Sequence, residues 1–392
     1  MVPSRRFTFV ILAAIAGCTR APSCPRPPAP APTPADAANG TLLARKLPRI
    51  EYRGGPFLRN PKVVTITFTN DDPKLVSRLE QFGATITRSP WWHTVTDGYC
   101  AKPGGCIGDG SAGSPVHLDE ALPADLRDTD VDALLLRTAK AGRLGPIDKE
   151  TLLLVYLPKG VSLTDATTRF CTGHARAFHR SLELDGARIA FAVLPRCGDE
   201  AQLTGSASHE ILEATTNPFP AEHGFAFTTG SASSGFTAAG VEPVDPCGLT
   251  TMDSHWTTDS GFVVHRAWSN RAAALAHDPC VPSRPDRPYV MLVPREPAVH
   301  LAHEGGIVSI DLDASTAGAS KTWAVSAFDL SGHQDHERYV GLTLDKATVT
   351  AGESVKLTIQ VRKMNPAQRE IVAVVSTIGV HSYMWPLLVM MR

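Results

Sequence analysis

The 392-residue chain lacks several features that would place it quickly. It has no basic block, and its formal net charge is -1, so nothing points to nucleic acid. It has no Cys-x-x-Cys pair among its 8 cysteines, which argues against a cysteine-rich metal knuckle. The glycine-rich stretch at 104–113 is not followed by Gly-Lys-Ser/Thr, so it is not a phosphate loop. The apolar run at 7–16 is too short to span a bilayer, and no second candidate span follows. Hydrophobic residues at 43% and charged residues at 20% are otherwise ordinary for a globular protein long enough for more than one domain.

What is present at the N-terminus reads as targeting. Arg5 and Arg6 precede the short apolar run, which ends Ile15-Ala16-Gly17-Cys18. Small residues before a cysteine at the end of such a run resemble the bacterial lipoprotein box. The expectation is a signal peptide over 1–17 and lipidation at Cys18, with the lipid as the sole membrane anchor. Thr19 after the cysteine implies sorting to the outer membrane of a Gram-negative cell. An ordinary secretory signal with an incidental cysteine is the alternative. Residues 18–46 open with a proline- and alanine-rich segment that cannot bury a core and reads as a tether.

Export also fits the remaining cysteines. Cys24 falls in the tether and is expected to be unpaired. Pairing of sequence neighbours then gives Cys100–Cys106, Cys171–Cys197 and Cys247–Cys280, one of 15 connectivities open to six cysteines.

Two domains are expected. Over 47–282, apolar runs at 63–68, 152–157 and 187–194 read as strands. Periodic segments opening near Pro73 and spanning 128–141 read as helices, an α/β (α+β) layer. Over 286–392, short β-rich runs at 289–293, 307–312, 323–328, 339–344, 355–361, 371–376 and 384–390 suggest an all-β immunoglobulin-like sandwich.

Chemistry concentrates at residues 206–218. Leu203, Ala207, Ile211 and Ala214 mark one apolar helical face, and Pro218 stops the helix. His209 and Glu213 are i and i+4, one turn apart, where both can grip one ion; Glu210 lies between them. The pattern is that of His-Glu-x-x-His zinc peptidases with Glu213 in place of the second histidine. A carboxylate is a harder ligand than imidazole, so Zn²⁺ is expected, with Ca²⁺ or Mn²⁺ as alternatives. Glu242 and Asp245 are the nearest downstream acids able to complete the ligand set, and Glu210 is the candidate general base. The competing reading is a solvated surface helix followed by an acidic turn. The long Gly-, Ser- and Thr-rich stretch at 221–259 reads as a functional or mobile loop.

An ordered series of short motifs carries a resemblance. It comprises Trp91-Trp92, Phe170-Cys171-Thr172, Ala177-Phe178-His179, Cys197, His209-Glu210-x-x-Glu213-Ala214-x-Thr216-Asn217-Pro218, Glu242-x-x-Asp245-x-Cys247, Trp268-Ser269-Asn270 and Asp278-Pro279-Cys280. This resembles the EXORDIUM, or phosphate-induced protein, family over roughly 57–282, in its bacterial lipoprotein branch. The resemblance implies an extracellular protein of zincin-like type. Its expected partner is a peptide, or a cell-surface polymer if the domain is a non-catalytic binding or adhesion module.

Overall fold

The computed structural model describes residues 43–172, 175–184, 186–228, 235–236, 242–251, 253–284, 287–296, 298–301, 303–317, 322–330 and 338–391. The segment expected to be a signal peptide, Cys18, Cys24 and most of the expected tether lie outside them. The described residues include 43–46, the end of the segment read as a tether. Leu43 and Leu47 are 0% and 4% exposed, and Leu47 N donates to Leu43 O across one helical turn, because both leucines fill the core.

The first domain is a three-layer α/β unit. Its main elements are β1 (Lys62–Phe68), α1 (Pro73–Thr85), α2 (Asp128–Lys140), β2 (Thr151–Tyr156), β3 (Phe178–Leu184), β4 (Ala187–Leu194) and α3 (Glu200–Thr216). The sheet order is β3-β4-β2-β1, with the short strands Ser111–Ala112 and Val116–Leu118 both paired to β1. β1, β2 and β4 are parallel, and β3 returns antiparallel beside β4. Every residue of β2 is buried, as its unbroken apolar run requires of a central strand. Its side chains divide by pleat. Leu152, Leu154 and Tyr156 join the core under α1 and α3, whereas Leu153 and Val155 join the core with Val131, Leu134 and Leu135 of α2.

The 221–259 segment is more structured than its composition implies. It contains the strand Phe225–Phe227, the short helix α4 (Asp245–Thr250) and β5 (His255–Thr257), which pairs with β6 (Val263–His265). Trp91 and Trp92 are buried, and the Trp91 indole donates to His265 O at 2.8 Å, tying β6 to the body. All three expected disulfides are formed.

The second domain stacks two sheets. Its strands are β7 (Tyr289–Pro294), β8 (Ala298–Leu301), β9 (Ile307–Ala317), β10 (Trp323–Asp329), β11 (Val340–Leu344), β12 (Thr348–Val349), β13 (Ser354–Val361), β14 (Arg369–Ile378) and β15 (His381–Met391). One sheet runs β7-β9-β13-β11 and the other β8-β15-β14-β10-β12. All pairings are antiparallel except β8 with β15. β8 and β12 are too short to stand out by pattern. Val355, Leu357, Ile359 and Val361 point inward while Lys356 and Gln360 face solvent, the period of two expected of a half-exposed strand. The domains share a core: Phe236 packs edge-on against Trp385, and Thr251 bridges to Tyr383. Among the described residues, no helix is long and apolar enough to cross a membrane.

Candidate metal centre

Helix α3 opens where the Asp199 side chain accepts from Gln202 N, and it stops at Thr216, ahead of Asn217-Pro218. Leu203, Ala207, Ile211 and Ala214 are buried, as their spacing requires. The polar arc does not face water. Glu210 is 6% exposed and Glu213 3%, because three neighbours cover that face of the helix. β3 brings His179, β6 brings His265, and the segment 242–245 brings Glu242 and Asp245. The solvated-helix reading is therefore wrong for this chain.

Glu213 is the hub. Its Oε1 accepts from Val244 N and Asp245 N at 3.2 and 3.3 Å, and its Oε2 lies 2.9 Å from His209 Nε2. Asp245 Oδ1 is 3.6 Å from the same His209 nitrogen. One ligand atom from each of His209, Glu213 and Asp245 falls within a 4.8 Å cluster. Glu242 is directed elsewhere: its Oε1 accepts from Asn217 Nδ2 at 2.8 Å and lies 3.5 Å from His179 Nε2. So the two downstream acids, three residues apart, sort to different partners. Cys247, in α4 just after Asp245, is held to Cys280 and keeps this segment against the helix.

His179 is the member that residue-level reasoning passed over. Its Nδ1 is 3.0 Å from Glu210 Oε2, and its side chain is 5% exposed. It sits on β3, whose Phe-His-Arg-Ser-Leu-Glu-Leu sequence has only weak alternation. The sole signal was its place in the family-like motif order. His265 was also missed. Its ring lies 5.2 Å from that of His209 and 4.3 Å from that of His255, centroid to centroid. Gly205 makes the room, since a Cβ there would meet the His255 ring at 3.3 Å. Ser208 Oγ accepts from His265 N at 2.8 Å, a second tie between α3 and β6.

The charges do not balance. Glu210, Glu213, Glu242 and Asp245 face two imidazoles able to carry charge, His179 and His209. Burial and the nearby Asp245 charge push Glu213 up to about 8, and burial raises Asp245 to about 6. Burial alone would lower His209, but the Glu213 charge and hydrogen bond, together with the Glu210 and Asp245 charges, outweigh it and carry the imidazole to about 10. His179 likewise stands well above its usual value: burial opposes this, and hydrogen bonds to Glu210 and Glu242 prevail. Burial and the His209 charge hold His265 well below it. Protons thus occupy a cluster whose donor set, one imidazole and two carboxylates, also fits a small divalent cation.

No family model matches the chain, and no curated protein does. Solved structures similar to parts of it include a Bacteroides ovatus GH5 xyloglucanase in complex with a XXXG heptasaccharide, at 11% identity and TM-score 0.18. That match covers 26% of this chain and spans only 19% of the xyloglucanase. A chimeric titin Z1Z2 is 18% identical over 27% of this chain and 95% of its own, with TM-score 0.17. The titin M3 domain is 13% identical over 27% and 97%, also at 0.17. At these TM-scores the likenesses bear on neither fold nor function.

Proposed function

We propose that the first domain is a zincin-like, zinc-dependent hydrolase acting on peptide bonds, of EXORDIUM-like type, carried on an exported lipoprotein with an immunoglobulin-like second domain. The observation that carries this reading is the convergence of His209, Glu213 and Asp245, with Glu213 buried and the other two half-buried, in a cluster with surplus negative charge. His209, Glu213 and Asp245 are the ligands; Glu242 is held by His179 and Asn217 and stays outside the set. One imidazole with two carboxylates suits zinc or manganese better than calcium, which prefers more oxygens. Bound zinc would supply Lewis acidity and lower the pKa of water.

The chain's own groups do the rest. Glu210 takes a proton from the attacking water and returns it to the leaving amine. His179 fixes the orientation of that carboxylate through the 3.0 Å contact to Oε2. The backbone N–H groups of Val244 and Asp245 fix Glu213, which keeps the ligand set rigid.

The test begins with elemental analysis of the purified protein. Near-stoichiometric zinc is expected, lost in both His209→Ala and Glu213→Ala. Glu210→Gln should keep the metal and lose at least about 100-fold in hydrolysis of a peptide substrate. The second reading is a non-catalytic surface-binding protein for a cell-surface polymer. It is favoured by the way Glu213 ties the 242–245 segment to α3, where an ion would only staple the two together. Equal turnover by Glu210→Gln and wild type on every peptide tried, with zinc retained, would leave that reading standing. Lipidation is checked separately: Cys18→Ser should release the protein from membranes.

A further inference from the structure

A second set of donors also includes Glu213. One atom each from His179, Glu210 and Glu213 falls within 4.8 Å of the others, as for His209, Glu213 and Asp245. The two sets share Glu213 and nothing else. The second set is more than an acidic patch, because it includes a buried imidazole that enters from a different element, β3. Both nitrogens of that imidazole face oxygen. Nδ1 is 3.0 Å from Glu210 Oε2, and Nε2 is 3.3 Å from Asn217 O and 3.5 Å from Glu242 Oε1. As an imidazolium, with an N–H on each nitrogen, it donates to both sides of this cage. The oxygens around it, two carboxylates and a main-chain carbonyl, are arranged about a positive centre. They are also the hard donors that a divalent cation takes, with the imidazole as the borderline one.

We propose that His179, Glu210 and Glu213 form a second divalent-cation site, with Glu213 bridging it to the first. Two cations sharing one carboxylate stand about 3.5–4 Å apart. The second site fills after the first, since a cation there must displace the contacts that His179 already makes to Glu210 and Glu242. Its consequence rests on the hydrolase reading: a cation on Glu210 removes the general base, so excess zinc inhibits. The binding itself does not depend on that reading.

The test uses the full-length protein titrated with Zn²⁺ at buffered free concentrations, with bound metal counted by elemental analysis. Two ions per chain are expected, bound in two steps. His179→Gln should stop at one ion, His209→Ala should lose the other, and Glu213→Ala should lose both. A titration of wild type with Mn²⁺, followed by electron paramagnetic resonance, needs no substitution. The first equivalent should give an isolated-ion spectrum and the second a spin-coupled one.

Saturation at one ion, lost in His209→Ala and kept in His179→Gln, overturns the second site and leaves the hydrolase reading intact. One ion lost in His179→Gln and kept in His209→Ala overturns the order of filling and the bridge, and removes the hydrolase reading. Two ions with uncoupled spectra overturn the bridge through Glu213. Absence of bound metal overturns both. Should His179→Gln fail to fold, the manganese spectra of wild type decide.

Discussion

Two buried polar clusters hold the chain that follows α3, and they are built on opposite principles. Arg266, 1% exposed, sits in the first. Its guanidinium donates to the Asp278 carboxylate, to Cys280 O, and to Pro282 O and Asp253 O at 2.8 Å each. One cation meets one carboxylate, and carbonyls take up its other donors. The second cluster sets Glu210, Glu213, Glu242 and Asp245 against His179 and His209. Even with both imidazoles charged, four carboxylates less two cations leaves two negative charges, which only protons or an added cation can offset. A saturated cluster holds the fold together by itself, whereas an unsaturated one is poised to bind.

The largest effect that would sharpen this contrast is at the saturated cluster. Arg266→Met strands Asp278 in the core and should cost about 3–5 kcal/mol in denaturant unfolding. A loss under 1 kcal/mol, within the range typical of surface changes, would mean that the cluster is dispensable.

Zinc should act on the unsaturated cluster alone. At a hundredfold excess over Kd it should stabilise wild type by about 2.7 kcal/mol, reversed by a chelator. At a fixed zinc concentration the size of this effect depends on pH. Glu213 and Asp245 titrate upward-shifted in the fold, so the metal-free protein loses stability as pH rises through about 6 and about 8. His209 adds to the trend: its contribution is complete below about pH 6.5 and is lost as pH climbs towards about 10. Zinc competes with these protons, so the gap in melting temperature between zinc-loaded and metal-free protein should widen from pH 6 to pH 8. A gap that stays constant across that range would argue against these ligands.

A smaller effect has the opposite sign from the Arg266 change. Asp245→Asn removes surplus charge and should stabilise the metal-free protein by about 1 kcal/mol, an amount discounted because 33% of the side chain is exposed. The same substitution should weaken zinc binding. Destabilisation of the metal-free form would show that the cluster is already balanced. The smallest effect belongs to a control on the surface. Arg295 pairs with Asp311 and Asp313 in solvent, and Arg295→Ala should leave the unfolding midpoint unchanged.

Much of the local structure was legible because it depends on near neighbours. Pro218 ends α3 through its effect on the preceding residue. The unbroken apolar run of β2 requires burial on both faces, and alternation in β13 requires one wet face. Cysteine neighbours paired because the elements carrying them pack together. The i, i+4 relation of His209 and Glu213 is a property of the helix alone.

What the tertiary structure decided is everything set by distant chain. His179 meets Glu210 across 31 positions, through the pairing of His179 with Ala192 in β3–β4 and the docking of α3 on that sheet. Asp245 turns to His209 while Glu242 turns to Asn217 and His179, a choice made by how the segment before α4 folds onto the helix. Burial of Glu210 and Glu213 is likewise collective. The sequence by itself determined which side chains share one face of α3. Only packing determined that this face is dry, and dryness makes the charges matter, because the Glu213 carboxylate in water would titrate normally and attract a cation weakly.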